Sequence, residues 1–444
     1  MVGNKLPMTT TDAKSQGPVS VSTSTPQADQ RQHEAQTRAF VIAWFFTVIF
    51  YFLEYAVRSS PSVMIPELEA SFHTTALGIA TILGIYYYTY SCMSLVAGAA
   101  LDHLGAKRTV PFGVLVLGIG CLLFSASAVL AGNAGRLLQG AGSAFAFTGG
   151  VYLAARGFPP RYLATAIGAT QCVGMLGGSA GQFVVGPIIE HGVSVHAFWV
   201  GMGAIILVNA AVLYFATPKE QIEPHLQEGS LGSLLMPYKV VFSNPQSYLC
   251  GAVAGLLFAP TTIGDMIWGV ARFQKDLQLS YHDAVLIVSM VPLGWVFGCP
   301  LLGWVSDRIG RRKPVIMGSA AIMILAGVQI AFRPFPIPAK IAMFIFGVAS
   351  GAAMIPYSII KEVNPDNVKA SAAGGINFLV FAITAFMGPV YANHVGKGVG
   401  IEPNLTSNFQ KGGLFWIACC AAAIVVSFFL RETGRAAHPQ PAPK

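Results

Sequence analysis

The sequence contains very little charge. Only 10% of its 444 residues are Asp, Glu, Lys or Arg, whereas a soluble domain carries about 25%. Hydrophobic residues make up 54% of the chain, more than the core of a soluble protein of this length needs. The composition therefore excludes a soluble globular fold. It predicts an all-α polytopic membrane protein, because a helix satisfies its own backbone hydrogen bonds within a bilayer.

The residue patterns of common enzyme sites are also missing. The sequence has no glycine-rich dinucleotide motif after a strand, no phosphate-binding loop and no nucleophile elbow. Its seven cysteines lie within apolar segments, without the spacing of a metal site or of a disulfide framework. We therefore expect no enzyme activity, no cofactor and no metal site.

Lys and Arg are distributed along the chain as in a membrane protein with cytoplasmic termini. Twelve apolar segments approach the roughly 20 residues that a bilayer span requires. They lie near 39–65, 76–101, 108–126, 128–155, 162–189, 196–216, 246–271, 281–303, 314–332, 338–360, 368–392 and 412–430. With the N-terminus in the cytoplasm, the cytoplasmic segments hold 19 Lys and Arg and the outer loops hold six. The net charge of +8 thus indicates topology and not nucleic-acid binding. We expect a bacterial inner (plasma) membrane protein with both termini cytoplasmic.

A long polar stretch after the sixth segment divides the chain into two halves. We predict two pseudo-symmetric six-helix bundles, one on each side of it. The predicted parts are a disordered cytoplasmic tail at 1–37, an N-terminal bundle at 38–216, a cytoplasmic linker at 217–245, a C-terminal bundle at 246–432 and a cytoplasmic tail at 433–444.

The two halves repeat a short motif. Gly-x3-Asp-x2-Gly occurs at 98–105 and again, 205 residues later, at 303–310, each time between the second and third segments of a half. A second repeat aligns Gln171 with Asn377 at an offset of 206. Parallel six-helix repeats around a site at the bilayer midplane are a known transporter plan.

On these residues the chain resembles the major facilitator superfamily over positions 38–432. The family's loop signature is complete in the second copy of the motif, with Gly303, Asp307, Arg308, Gly310, Arg311 and Arg312. The first copy keeps Gly98, Asp102 and Gly105. The resemblance implies twelve transmembrane helices and transport by alternating access.

The two motif aspartates can act as a latch on the cytoplasmic side. Asp102 would face the N-terminus of the eleventh helix near Val368, where free N–H groups and the helix dipole favour an anion. Asp307 would face the start of the fifth helix near Tyr162. Arg308 and Arg311 can add ion pairs to this latch, which would also involve the motif glycines. The alternative is that both aspartates only cap turns.

Two charged residues interrupt the first apolar segment. Glu54 and Arg58 share one helix face with Tyr51 and Tyr55, because residues three and four apart are neighbours on a helix. A charge at membrane depth normally faces a partner or a watery cavity. Either the two residues only pair with each other, or they form a polar path in which Arg58 receives an anion.

Two further charged residues lie in predicted helices. Arg136, in Arg-x2-Gln-Gly-x-Gly, resembles the superfamily's arginine motif in the fourth helix. Since Glu54 is the only carboxylate within that half's helices, we predict a Glu54–Arg136 pair. Asp265 lies in the seventh helix, where burial favours the neutral acid unless a cation is nearby. Proton coupling is therefore expected to involve Glu54, Arg136 or Asp265.

Within the superfamily, the first helix is most similar to the anion:cation symporters and organophosphate permeases. The similarity rests on Tyr55, Arg58, Ser60, Ser62 and Val63. It implies that Arg58 binds the substrate's carboxylate or phosphate, since a guanidinium fork binds such groups bidentately.

Other side chains are candidates for the same cavity. They are Tyr90 first and Tyr87 second, with Gln171, Asn377 and Trp268. The alternative for the tyrosines is a packing or interfacial role.

The sequence thus predicts a monomeric secondary active transporter that takes up a small organic anion together with protons. Two alternatives stay open. One is an exporter or exchanger of a small organic solute, including peptides or drugs, and the other is a sensor that binds solute without transporting it.

Overall fold

A computed structural model describes residues 26–219, 231–365, 368–395 and 405–434, and within these ranges the chain is helical, without strands. Twelve long helices carry the fold. They are α1 (Pro26–Ser59), α2 (Ala76–Leu104), α3 (Ala106–Phe124), α4 (Val129–Gly157), α5 (Pro160–Phe183), α6 (Val195–Ala216), α7 (Pro245–Asp265), α8 (Tyr281–Ile309), α9 (Lys313–Phe332), α10 (Ala339–Val363), α11 (Lys369–Val395) and α12 (Leu405–Phe429). Short helices connect some of them, at Ile65–Phe72, Val185–Glu190, Leu231–Ser243 and Gly269–Leu277.

Eleven of these long helices are apolar enough to cross a bilayer. The exception is α4, whose 29 residues would reach about 43 Å at 1.5 Å per residue. Its glycines, Arg136 and Gln139 lower its mean hydropathy, and it packs against α2 and α3 inside the bundle. The predicted all-α polytopic membrane fold is confirmed.

Glycines bring particular helices into close contact. On α5, Gly177 lies directly against the backbone carbonyl of Phe52 on α1. Beside it, the hydroxyl of Ser59 on α1 donates to the carbonyl oxygen of Gly178 at 2.8 Å. A larger side chain at Gly177 would push the two backbones apart. The small residues of α5 therefore serve close helix packing, as in other membrane bundles.

Two helices depart from regular α geometry beside the middle of the bundle. In α7 the N–H of Met266 donates to the carbonyl of Thr261 at 2.9 Å, so the helix widens to a π-turn over Pro260–Asp265. In α10 a 3₁₀ turn covers Gly351–Met354. Such breaks often accompany functional sites, because they change the direction of neighbouring side chains.

The bundle has two ends. The terminal end is where α1 begins and α12 ends, and the far end is opposite. At the far end the two halves touch: the hydroxyl of Tyr281 donates to the carbonyl of Val63 at 2.6 Å, and that of Ser179 donates to the carbonyl of Ser289 at 3.0 Å. At the terminal end the hydroxyl of Tyr238, on the linker helix Leu231–Ser243, donates to the carbonyl of Leu95 at 3.0 Å.

Candidate functional site

The charged stripe of α1 is buried and locally paired. Glu54 and Arg58 lie one turn apart, and neither side chain is exposed. One carboxylate oxygen of Glu54 accepts hydrogen bonds from Arg58 Nη2 and from the hydroxyl of Tyr86 on α2. Arg58 also donates to the Tyr86 hydroxyl, through Nε at 3.3 Å and Nη2 at 3.2 Å. These three side chains form one hydrogen-bonded unit.

Arg136 reaches the same region, and no carboxylate of the described residues pairs with it. Its Nη1 donates to Gln139 Oε1 at 2.7 Å, and its Nη2 donates to the carbonyl of Leu83 at 3.4 Å. Its guanidinium lies 4.8 Å from the centre of the Tyr86 ring. The predicted Glu54–Arg136 pair is therefore wrong. Glu54 pairs instead with Arg58, which the helix places one turn away on the same face.

The site carries more positive than negative charge. Arg58 and Arg136 are each at most 2% exposed, and Glu54 is the carboxylate beside them. One nitrogen of each guanidinium has no hydrogen-bond partner among the described residues, Nη1 of Arg58 and Nε of Arg136. Burying a charge without a full set of partners is costly. The arrangement thus favours a ligand with a negative charge.

Aromatic rings surround the Arg58 guanidinium. Its central carbon lies 4.3 Å from the ring centre of Tyr55, 5.0 Å from that of Tyr90 and 5.2 Å from that of Phe381. Cations are attracted to ring faces at such distances. Phe381 belongs to α11, so the C-terminal half covers an arginine of the N-terminal half.

A cavity lies beside this cage, between the two halves. Its lining is rich in rings, four from the N-terminal half and four from the C-terminal half. They are Tyr51, Tyr55, Tyr90, Phe147, Phe258, Trp295, Tyr357 and Phe381.

Two amides complete the cavity lining. The hydroxyl of Tyr51 donates to Gln171 Oε1 at 3.2 Å, and the hydroxyl of Tyr357 donates to Asn377 Oδ1 at 2.5 Å. The repeat alignment of Gln171 with Asn377 thus corresponds to two similar tyrosine–amide pairs, both on the cavity wall.

Asp265 lies apart from the cavity, at the contact between the halves. It is 1% exposed, and neither carboxylate oxygen has a hydrogen-bond partner in the described part of the chain. The side chain of Gln182 on α5 lies beside it. Gln182 Nε2 donates to the hydroxyl of Ser62 at 3.3 Å, while its Oε1 has no described partner. Three buried oxygen atoms there thus lack a donor.

The remaining aromatic candidates have different surroundings. The Tyr87 ring stacks on Phe381 at 6.2 Å between ring centres, outside the cavity lining. Trp268 packs near Tyr391 at 6.3 Å and does not line the cavity. Tyr86 is a site residue that the sequence does not reveal, although its hydroxyl donates directly to Glu54. No sequence signal distinguishes it from its neighbouring tyrosines.

The complete loop signature lies at the terminal end of α8. Asp307 pairs with Arg312 at 2.5 Å, and Arg312 also pairs with Glu362 at 2.9 Å. The guanidinium of Arg308 lies 5.3 Å from the ring centre of Trp304. Asp307 therefore pairs within its own half here, and its contact with α5 stays a prediction.

The other described residues of the predicted latch make no contact that would test its role on the cytoplasmic side. Arg311 is exposed, and the Cβ position of Gly303 has open space around it. Gly98 lies beside the hydroxyl of Tyr238. The side chain of Asp102 is outside the described residues, so its predicted role stays untested.

Comparison with known proteins agrees with this architecture. Residues 47–389 match the family model described as Major Facilitator Superfamily. The chain belongs to the Major Facilitator Superfamily. Its sequence identity to individual members of this superfamily is low, but some of the alignments extend over most of the chain. The riboflavin transporter RibZ of Clostridioides difficile is 22% identical over 435 residues, which covers 83% of this chain and 93% of RibZ.

Two further members of the superfamily illustrate its breadth. The membrane sensor protein UhpC of Salmonella typhimurium is 25% identical over 333 residues, covering 70% of this chain and 73% of UhpC. Among solved structures, an inward-facing bacterial homologue of the human lysosomal transporter Spinster has a TM-score of 0.66 at 14% identity. That match covers 88% of this chain and 96% of the homologue, and it supports the fold alone.

The buried charges generate a stability prediction. Glu54→Gln should destabilise the protein strongly, by about 3–5 kcal/mol, because it leaves Arg58 buried without its carboxylate. The double variant Glu54→Gln/Arg58→Gln removes both charges and should recover much of this loss. Thermal unfolding of the purified proteins in one detergent measures both effects. A double variant as unstable as the sum of the two single variants would contradict the pairing.

Proposed function

We propose that this member of the superfamily is a secondary active transporter of a small organic anion, a carboxylate or a phosphate ester. The observation that carries the proposal is the excess of buried positive charge around Arg58. A substrate anion would offset this excess and supply a partner to the free Nη1. Guanidinium is suited to the task, because it stays protonated and binds two anion oxygens at once.

Access of a substrate to Arg58 depends on whether the two halves are closed or separated at the far end. Phe381 of α11 covers the guanidinium while the far end is closed, so we propose that the substrate binds when α2 and α11 separate there. The far end would face the outside, and both termini the cytoplasm, as the Lys and Arg distribution suggests. The monomer would then work by rocking of one bundle against the other. The segments 98–105 and 303–310, at the terminal ends of α2 and α8, would gate the cytoplasmic side.

Arg58→Lys tests the substrate role. The variant should fold but lose most uptake, since an ammonium cannot reproduce the planar fork. A thermal-shift screen with gluconate, succinate, benzoate and glycerol 3-phosphate would select the acid, and proteoliposome uptake of that acid is then measured. The matched control is Arg431→Lys, because Arg431 is exposed near the end of α12. Normal substrate affinity in Arg58→Lys would remove Arg58 from the binding site.

We further propose that transport is coupled to protons through Asp265. One oxygen of Glu54 already accepts from Arg58 and Tyr86, whereas neither oxygen of Asp265 has a described hydrogen-bond partner. A bare carboxylate in this position costs several kcal/mol, so the closed far end favours the protonated acid. Protonated Asp265 can donate to the free Oε1 of Gln182. One proton would thus neutralise Asp265 of the C-terminal half and give Gln182 Oε1 of the N-terminal half a hydrogen-bond donor.

Asp265→Asn tests the coupling. The amide keeps the size and a donor, so the variant should still exchange substrate in counterflow, which needs no net proton movement. It should lose accumulation driven by a pH gradient at constant sodium. The matched control is Asp283→Asn, because the Asp283 side chain is 52% exposed. Normal pH-driven accumulation in Asp265→Asn would end the proposal for this residue.

Two other functions have support from relatives. Some similar proteins are named multidrug resistance proteins, such as MdtL of Klebsiella pneumoniae, 27% identical over 195 residues. An exporter or exchanger would show counterflow without accumulation of the acid inside. The similarity to UhpC favours a sensor, which would bind the acid but give no counterflow at all.

A further inference from the structure

The cavity between the halves combines many aromatic side chains with two amides, and this composition indicates the chemical class of the substrate. Eight of its fifteen lining residues are aromatic. Several of these rings meet each other at an angle, such as Tyr51 with Tyr55 at 5.1 Å and 78°. Tyr90 and Phe381 lie 4.1 Å apart, tilted by 49°. A flat ring that lies against the cavity side of such walls can make stacked and edge contacts with several of them at once.

The polar groups of the cavity point to hydrogen-bond acceptors on the ligand. The oxygens of Gln171 and Asn377 already accept from Tyr51 and Tyr357. Neither amide nitrogen donates to another described residue, and neither is among the fully enclosed unpartnered atoms. Both NH₂ groups are therefore available as donors to a ligand in the cavity.

Carboxylates are absent from the cavity lining in the described part of the chain. A sugar acid brings several hydroxyl groups, each with a proton to donate. The cavity does offer these hydroxyls acceptors, because each amide oxygen keeps a second lone pair and the tyrosine hydroxyls can also accept. These acceptors are neutral, however, and bind a hydroxyl less strongly than a carboxylate would. The eight rings therefore make the lining better suited to a flat aromatic ligand than to a polyhydroxylated anion.

We infer that the substrate is a planar organic acid whose carboxylate is attached to an aromatic ring. The ring would lie among the eight aromatic side chains, with ring or carboxylate acceptors facing Gln171 and Asn377. The carboxylate would complete the partners of Arg58 once Phe381 moves away. This inference rests on the proposed anion transport and adds the chemical class of the solute.

Matched pairs of acids test the inference by calorimetric titration of the purified full chain. Benzoate and 2-naphthoate are compared with cyclohexanecarboxylate and decahydro-2-naphthoate, which have the same charge and similar size but no aromatic face. The aromatic acids should bind at least about tenfold tighter, since contacts with several rings each contribute beyond burial. Gluconate tests the polyhydroxylated class, and benzamide tests the need for charge.

The outcomes separate the inference from the proposed function. Equal affinity for aromatic and saturated acids, or binding of gluconate alone, overturns the inference and leaves anion transport in place. Benzamide binding as tightly as benzoate keeps the ring preference but contradicts anion transport. If no acid binds, both are contradicted.

Two variants locate the ring preference in this cavity. Phe147→Leu and, independently, Phe258→Leu keep an apolar side chain and remove one ring of the wall. Each should reduce the ratio of benzoate to cyclohexanecarboxylate affinity by several-fold. The matched control is Phe386→Leu, because Phe386 is 67% exposed on the outside of α11. An unchanged ratio in both cavity variants would place the aromatic preference elsewhere and overturn the assignment.

Discussion

Burying charge inside an apolar helical bundle is the constraint on which the rest of the site depends. Two arginines and one glutamate lie in the N-terminal half with almost no exposure. Glu54, Arg58 and Tyr86 satisfy part of their hydrogen-bonding capacity, and rings shield what remains. The surplus positive charge cannot be screened by water there. On our proposal, this surplus charge is what selects an anionic substrate.

The same constraint links the site to movement of the two halves. Phe381 of the C-terminal half covers Arg58 of the N-terminal half. Gln182 of the N-terminal half lies beside Asp265 of the C-terminal half at the far-end contact. Arg58 and Asp265 are therefore each covered in part by a side chain of the other half, and separation of the halves would break these two contacts. On our proposal, a substrate anion and a proton would replace those contacts in turn. The small residues of α5 hold it closely against α1 within the N-terminal half, apart from the interface that would change.

Much of the fold could be predicted from sequence, because apolar segments and positive loops follow directly from the membrane. Helix periodicity also predicted that Glu54 and Arg58 share a face. The Glu54–Arg136 pair was predicted wrongly, although a Glu54–Arg58 pair was the stated alternative. The prediction assumed that Arg136 needs a carboxylate, whereas Gln139 and the carbonyl of Leu83 are its partners. Tyr86 and Phe381 could not be predicted as contacts of Arg58. Their positions depend on packing between α1, α2 and α11, which no local pattern encodes.

A structure of the protein with a bound organic acid would show whether Arg58 binds the substrate anion. We expect the carboxylate against the guanidinium of Arg58, at the roughly 2.7–2.9 Å of charge-assisted hydrogen bonds, with Phe381 displaced. An acid bound elsewhere in the cavity, with Phe381 still covering Arg58, would contradict this role of Arg58.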